Sequence, residues 1–300
     1  MNTFRKKSEN NKKDPKIAIF GAYGLLGSFL SNYLITKSYK VFRQGRGSNA
    51  DYKLDPTNYS MVKDFCEDIK PDIIINLNAI TNVDLCEENP NLAYIGNVES
   101  TISIVKNIDK NKTHFIHIST DQVYDGLGPH IEDNASPINI YAKTKYESEI
   151  IAKKVNATIL RTNFVGKSFS KSKKSFTDWL VDSFESNKQI NLFNDIKFSA
   201  IHQKFLASII EESFFLKPAE IINVGCIDSI SKAEFALKLS NSLNYNFKSY
   251  KLTSSEKIIR PARRPKDMSL NTEKFSEIFN QKSPTVEDTI KIIKADYEKI

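Results

Sequence analysis

The chain has 300 residues, 40% hydrophobic and 26% charged, enough for one large α/β domain or for a core domain with a smaller second one. That balance excludes an intrinsically disordered chain, and no apolar run approaches the ~20 residues that a membrane-spanning helix needs. The net charge of +7 is concentrated at one end, where residues 1–16 hold six basic and two acidic side chains; the rest offers no strong basic face, and nucleic acid is not an expected partner.

Residues 1–15 read as a basic, solvated, disordered tail. The tail lacks the apolar stretch of a secretory signal and keeps acidic residues, unlike a transit peptide, so the cytoplasm is the expected location and no membrane partner is expected. From Lys16 onward, apolar runs of strand length alternate with segments of helical spacing. KIAIF (16–20), KVFRQ (40–44), PDIIINLNA (71–79), HFIHIST (114–120) and TILRTNFV (158–165) are mostly continuous rather than alternating, which marks strands buried on both faces. The pattern predicts an α/β fold with a doubly wound parallel sheet of Rossmann type over 16–166.

After Gly166 the polar, basic stretch GKSFSKSKKS marks a boundary. FTDWLVDSFESNK then reads as a helix, QINLF as a short strand, QKFLASIIEESFF as a helix and EIINVG as a strand. Two later helices open with the spacing of a capping box, Ser231 to Glu234 and Thr285 to Asp288. Residues 167–300 are expected to form mainly a smaller C-terminal domain, with segments around 201–225 returning to the core.

GAYGLLG follows the first strand directly and places Gly21, Gly24 and Gly27 at the start of a helix. In that context glycines permit a tight turn, close approach of the backbone to a pyrophosphate, and helix packing, so a dinucleotide cofactor is expected. The second strand ends in FRQGRG, without the acidic residue that would bind the ribose hydroxyls of NAD. Arg43 and Arg46 could instead neutralise a 2′-phosphate, which favours NADP(H) and leaves NAD(H) as the alternative. Asp55, after the third strand, is a candidate acceptor for the adenine amino group. Cys66, Cys86 and Cys226 lack CxxC spacing and the four histidines lack ligand spacing, so neither a disulfide framework nor a metal is expected.

YAKTK places Tyr141 and Lys145 at i and i+4, on one face of a helix starting near Asn139. A nearby ammonium stabilises the phenolate of a tyrosine that exchanges a proton near neutral pH. Thr120 ends the strand before that helix, where its hydroxyl can polarise a substrate carbonyl. Each signal is weak alone; in this order, behind the glycine loop, they are specific.

On these residues the chain resembles the extended short-chain dehydrogenase/reductase family, in particular its nucleotide-sugar reductases of the dTDP-4-dehydrorhamnose reductase kind. The resemblance spans about residues 16–295 through GAYGLLG, PDIIINLNAITNVDLCE, HISTDQVYDG, YAKTKYESE, ILRTNFVG, INVG with SKAEFA, and RPKDMSLNTEK. It implies that Thr120, Tyr141 and Lys145 form the catalytic triad, with Tyr141 as proton donor. It implies pyrophosphate contacts at Gly24, Leu25 and Leu26, a cofactor cleft lined by Ala79 and Thr81, and sugar contacts at Thr120, Asp121 and Phe164. Arg264 would stand near the substrate side, and residues 167–300 would bind substrate. The implied partner is a nucleotide sugar, with a homodimer as an open expectation.

Asn78, Ile80, Gln122 and Met268 depart from the residues usual in those reductases, which leaves the identity of the sugar open. The related 4,6-dehydratases read Thr-Asp-Glu where this chain reads Thr120-Asp121-Gln122. An amide cannot take up a proton as a carboxylate does, so the motif favours reduction over dehydration. An epimerase of the same family, or a non-catalytic NADP-binding regulatory subunit, are the alternatives.

Overall fold

Ile17 and Ile19 pack into one buried cluster and Ala18 and Phe20 into another, because side chains along a strand alternate between the faces of a sheet. Ile73, Ile75, Ile116 and Ile118 join the first cluster, and Ile74 and Phe115 the second. Both faces are covered, which is why apolar residues run on with little alternation.

The structure, a computed structural model, describes residues 15–170 and 172–298. Of the basic tail expected over 1–15, all but Pro15 lies outside the described residues. The large sheet comprises β1 (Lys16–Phe20), β2 (Lys40–Gly45), β3 (Tyr52–Lys53), β4 (Ile73–Asn76), β5 (His114–Thr120), β6 (Thr158–Thr162) and β7 (Ile221–Val224). Every pairing is parallel, in the order β7-β6-β5-β4-β1-β2-β3. The chain winds outward in both directions from the neighbours β1 and β4, and the crevice beyond the carboxyl ends of such strands is where doubly wound sheets bind ligands.

Leu26, Leu30 and Leu34 of the Leu25–Thr36 helix and Leu206 and Ile210 of the Gln203–Leu216 helix cover one face of the sheet. Val62 and Phe65 of the Tyr59–Ile69 helix, with Ile104 and Val105 of the Ser100–Lys106 helix, cover the other. The capping boxes at Ser231 and Thr285 are both formed, and Ser175 with Asp178 adds a third.

One apolar run behaves differently from its pattern. TILRTNFV leaves the sheet after Thr162, and Phe164–Val165 pairs instead with Ile201–His202. Asn163, at the break, donates from Nδ2 to Asp121 Oδ2 at 2.8 Å, an interaction an uninterrupted strand could not aim there. No helix among the described residues is long and apolar enough to cross a membrane.

Candidate active site

Strand β1 runs into Gly21, whose φ of +79° is a conformation that side chains disfavour. A Cβ there would stand 3.0 Å from the backbone of Leu77 and Asn78, and one at Gly27 would lie 2.2 Å from the Gly21 carbonyl oxygen. The glycines thus let the loop close onto the exit of β4 and the helix close onto the loop. Gly24 caps the Leu25–Thr36 helix without a side-chain hydrogen bond, so the amides of the first turn face the cleft with no side chain covering them. Such a helix end suits a pyrophosphate.

Gln44 was not singled out from the sequence. It is buried, its Oε1 accepts from the Gly21 amide at 2.9 Å, and its Nε2 donates to the Leu54 carbonyl at 2.7 Å. It holds the glycine loop in register with β2; the signal available beforehand was a polar residue inside an apolar strand.

A cleft of about 610 Å³ runs from this loop across the ends of β4 and β5. Gly21, Gly24, Leu25, Leu26 and Gly27 line one half; Ala79 and Thr81 line its wall beyond β4. The two arginines differ. Arg46 lines the cleft, whereas Arg43 forms a two-toothed pair with Asp51, at 2.7 and 2.9 Å, and lies over the Tyr23 ring. Asp55 lies outside the cleft lining, and its carboxylate accepts from the amide and hydroxyl of Thr57 at 3.0 and 2.9 Å in the turn before the next helix.

The other half of the cleft holds Thr120, Asp121, Tyr141, Lys145 and Phe164. Asn139 caps the Ile140–Lys153 helix by accepting from the Ala142 amide, which sets Tyr141 and Lys145 on the first turns, facing the end of β5. Burial pushes the Tyr141 phenol well above the usual tyrosine range, and the adjacent Thr120 hydroxyl opposes that shift by hydrogen bonding. Burial lowers Lys145 to about 8, against the opposing pull of Glu149. Its ammonium donates to the Ile118 carbonyl at 2.8 Å.

Asp121 is buried beside Thr120 and its carboxyl is raised to about 6, chiefly by desolvation; the Asn163 hydrogen bond and the positive charge of Lys232 oppose the rise. Lys232 is a cation that motif reading missed, because it belongs to a distant helix start. Its own pKa is lowered by burial, and it feels Asp121, Arg260 and Arg264 in turn. Arg264 pairs with Asp84 at 2.9 Å and is not among the cleft residues, so it acts on this region only at longer range. Of the departing residues, Asn78 and Gln122 line the cleft, and Ile80 packs with Tyr141 and Cys86. Met268 is buried in the short strand Asp267–Met268.

Beneath the site, Arg161 and Glu149 form a fully buried ion pair at 2.6 Å, and Ser119 donates to the same carboxylate. The three cysteines are buried and free.

The family model described as the RmlD substrate binding domain matches residues 15–298. A Haloferax volcanii protein named a probable low-salt glycan biosynthesis reductase is 25% identical over 291 residues, which span 93% of this chain and 97% of its own. The Rattus norvegicus methionine adenosyltransferase 2 subunit beta is 26% identical over 297 residues, covering 92% of this chain and 86% of its own. The crystal structure of dTDP-4-dehydrorhamnose reductase from Bacillus anthracis, in complex with NADP, has a TM-score of 0.85 and 25% identity, covering 96% of this chain and all of that one.

Proposed function

The chain belongs to the RmlD substrate binding domain family, a group of the extended short-chain dehydrogenases/reductases, and on that premise we propose that it reduces the C4 ketone of a nucleotide-linked 4-keto-6-deoxysugar. The observation that carries the reading is the meeting of Thr120, Tyr141 and Lys145 in the same cleft as the glycine loop.

The residues present fit a dinucleotide: a Cβ at Gly21 or Gly27 would fill the cradle, and the helix end at Gly24 has no side-chain cap. Gly24, Leu25 and Leu26 would hold the pyrophosphate and Arg46 a 2′-phosphate, in agreement with NADP in the Bacillus anthracis reductase. When bound, NADPH supplies the hydride.

The chain's own part is proton delivery and polarisation. Thr120 donates to the ketone oxygen and draws electron density from the carbon. Tyr141, held protonated by its burial, stands ready to give its proton to the developing alkoxide. Lys145 carries its positive charge at neutral pH and offsets the phenolate that this transfer leaves behind. Asp121 and Phe164 border the sugar, and residues 167–300 mainly close over it.

The test is incubation of the protein with NADPH and a panel of nucleotide-linked 4-keto-6-deoxysugars, following loss of reduced-nicotinamide absorbance. Stoichiometric consumption is expected with at least one member. Folded protein that binds NADPH and consumes none across the panel would overturn the proposal.

A further inference from the structure

Two polar atoms at the sugar end of the cleft have no hydrogen-bond partner among the described residues. Thr162 Oγ1 and Gln122 Oε1 are buried and unpaired, although both residues line the cleft. Buried polar groups are nearly always paired, because an unmade hydrogen bond costs more than a made one contributes. An orphan that opens onto a ligand site is accounted for when the ligand supplies the missing bond.

Their placement is defined by the sheet. Thr162 stands opposite Thr120 in the parallel register of β5 and β6, so the two hydroxyls project from the same face. Neighbouring strands are about 4.8 Å apart, a spacing that suits two groups contacting adjacent substituents of one sugar ring. Gln122 lies in the single turn Asp121–Val123 that follows β5; as an amide it lacks the basicity of a carboxylate, but its Oε1, left unpaired, still accepts a hydrogen bond. The neighbouring side chains have other roles: Asp121 accepts from Asn163 at 2.8 Å, and the Thr120 hydroxyl, whose contact with Asp121 Oδ1 is a long 3.3 Å, turns to the ketone.

We propose that Gln122 and Thr162 are specificity-determining residues that bind the ring hydroxyl beside the reacting ketone, the 3-hydroxyl of the sugar. Gln122 Oε1 accepts the proton of that hydroxyl, and the Thr162 hydroxyl donates to its oxygen. The inference rests on the reductase reading, with the ketone held at Thr120. A hydroxyl at C6 would not serve, since a 6-deoxysugar has a methyl group there. The substrate class is accordingly narrowed to nucleotide-linked 4-ketosugars that keep a free 3-hydroxyl, and 3-deoxy analogues are discriminated against because they leave both polar atoms unpaired.

The experiment compares a dTDP-linked 4-keto-6-deoxysugar bearing the 3-hydroxyl with its 3-deoxy counterpart, using wild type, Gln122→Leu and Thr162→Val, with Gln122→Asn and Thr162→Ser as conservative controls. Wild type should favour the hydroxylated sugar in kcat/KM by about 100-fold, about tenfold for each of the two neutral hydrogen bonds that the 3-deoxy sugar cannot make. Each apolar variant should lose about tenfold of that preference, mainly through KM, while the conservative variants retain it. Because neither atom has a partner in the free protein, Tm should stay unchanged or rise in Gln122→Leu and Thr162→Val, and the Kd for NADPH should not move.

An unchanged preference would overturn the inference. So would a fall in Tm that accounts for the loss, which would make the groups structural, or a tenfold weaker Kd for NADPH in Thr162→Val, which would give that hydroxyl to the cofactor. If wild type reduces neither sugar, the reductase reading fails separately. Calorimetric binding of the two sugars then decides the inference: a preference for the 3-hydroxyl that each apolar variant cuts by about tenfold supports it, and equal affinities overturn it.

Discussion

Lys145 Nζ lies 3.5 Å from Nε2 of His117, an ammonium beside an imidazole in the buried layer under the active site. The imidazole is held neutral, its pKa driven well below the usual histidine value by burial and then by the lysine charge. A chain of hydrogen bonds selects its tautomer. The Asn78 amide donates to Asn76 Oδ1 at 3.1 Å, which leaves Asn76 Nδ2 to donate to His117 Nδ1 at 3.2 Å. Nε2 therefore carries the proton and donates to Ser148 Oγ at 3.0 Å. The wall of the cleft and Lys145 are thus joined through three buried polar side chains, Asn76, His117 and Ser148.

Lys145 is charged below its pKa and neutral above it, and burial has brought that pKa down to about 8. The kcat/KM for NADPH, which reports the free enzyme, is expected to fall by about tenfold per pH unit above that point. A profile flat to a pH of about 10, near the value of an unperturbed lysine, would contradict the assignment of Lys145 as the required cation.

Tyr141→Phe removes the proton donor and leaves the ring in its buried place. Turnover should fall by about 100-fold to 10,000-fold, with the Kd for NADPH within about twofold of wild type. Full activity in this variant would reject Tyr141 as the donor. The alternative role, that of a non-catalytic regulatory subunit, would be untouched by the substitution.

Arg46 reaches the cleft while Arg43 is held by Asp51. Arg46→Ala should weaken NADPH by about tenfold or more, the loss of a charge-assisted hydrogen bond, and leave NADH unchanged. Equal weakening of both cofactors would show that Arg46 reads something other than a 2′-phosphate. Dissociation constants by fluorescence titration separate the cases.

Asp121 has a folded pKa of about 6, above the ordinary aspartate value of 3.8, so the folded state binds more protons than the unfolded state between those values. The stability linked to this group is present below the lower value and is lost as pH rises through the upper one. Asp121→Asn should therefore be more stable than wild type at pH ~7, by roughly 1–3 kcal/mol, and should lack the decline over that window. Denaturant unfolding as a function of pH measures it. Wild type and variant with parallel profiles would show that the carboxylate is not strained by burial.

The elements that assemble the candidate site were legible because their physics is local. A continuous apolar run states that a strand is covered on both faces, a glycine triplet states how near the backbone comes to itself, and i, i+4 spacing puts Tyr141 and Lys145 on one side of a helix whichever fold surrounds it. The capping boxes at Ser231 and Thr285 are of the same kind, since their partners lie three residues away.

Tertiary structure alone decided which side chains became partners across long sequence separations. Arg43 and Arg46 are alike in sequence, and only the fold places Asp51 against one and the cleft beside the other. Lys232 reaches Asp121 electrostatically from 111 residues away in the chain, and Thr162 stands beside Thr120 because two strands share a register. Burial, which raises Asp121, lowers Lys145 and silences His117, is a property of everything packed around a group. Residue type and spacing specify what a site can do, and desolvation and long-range pairing, set only when the chain closes on itself, specify in which protonation state and with which neighbours it does so.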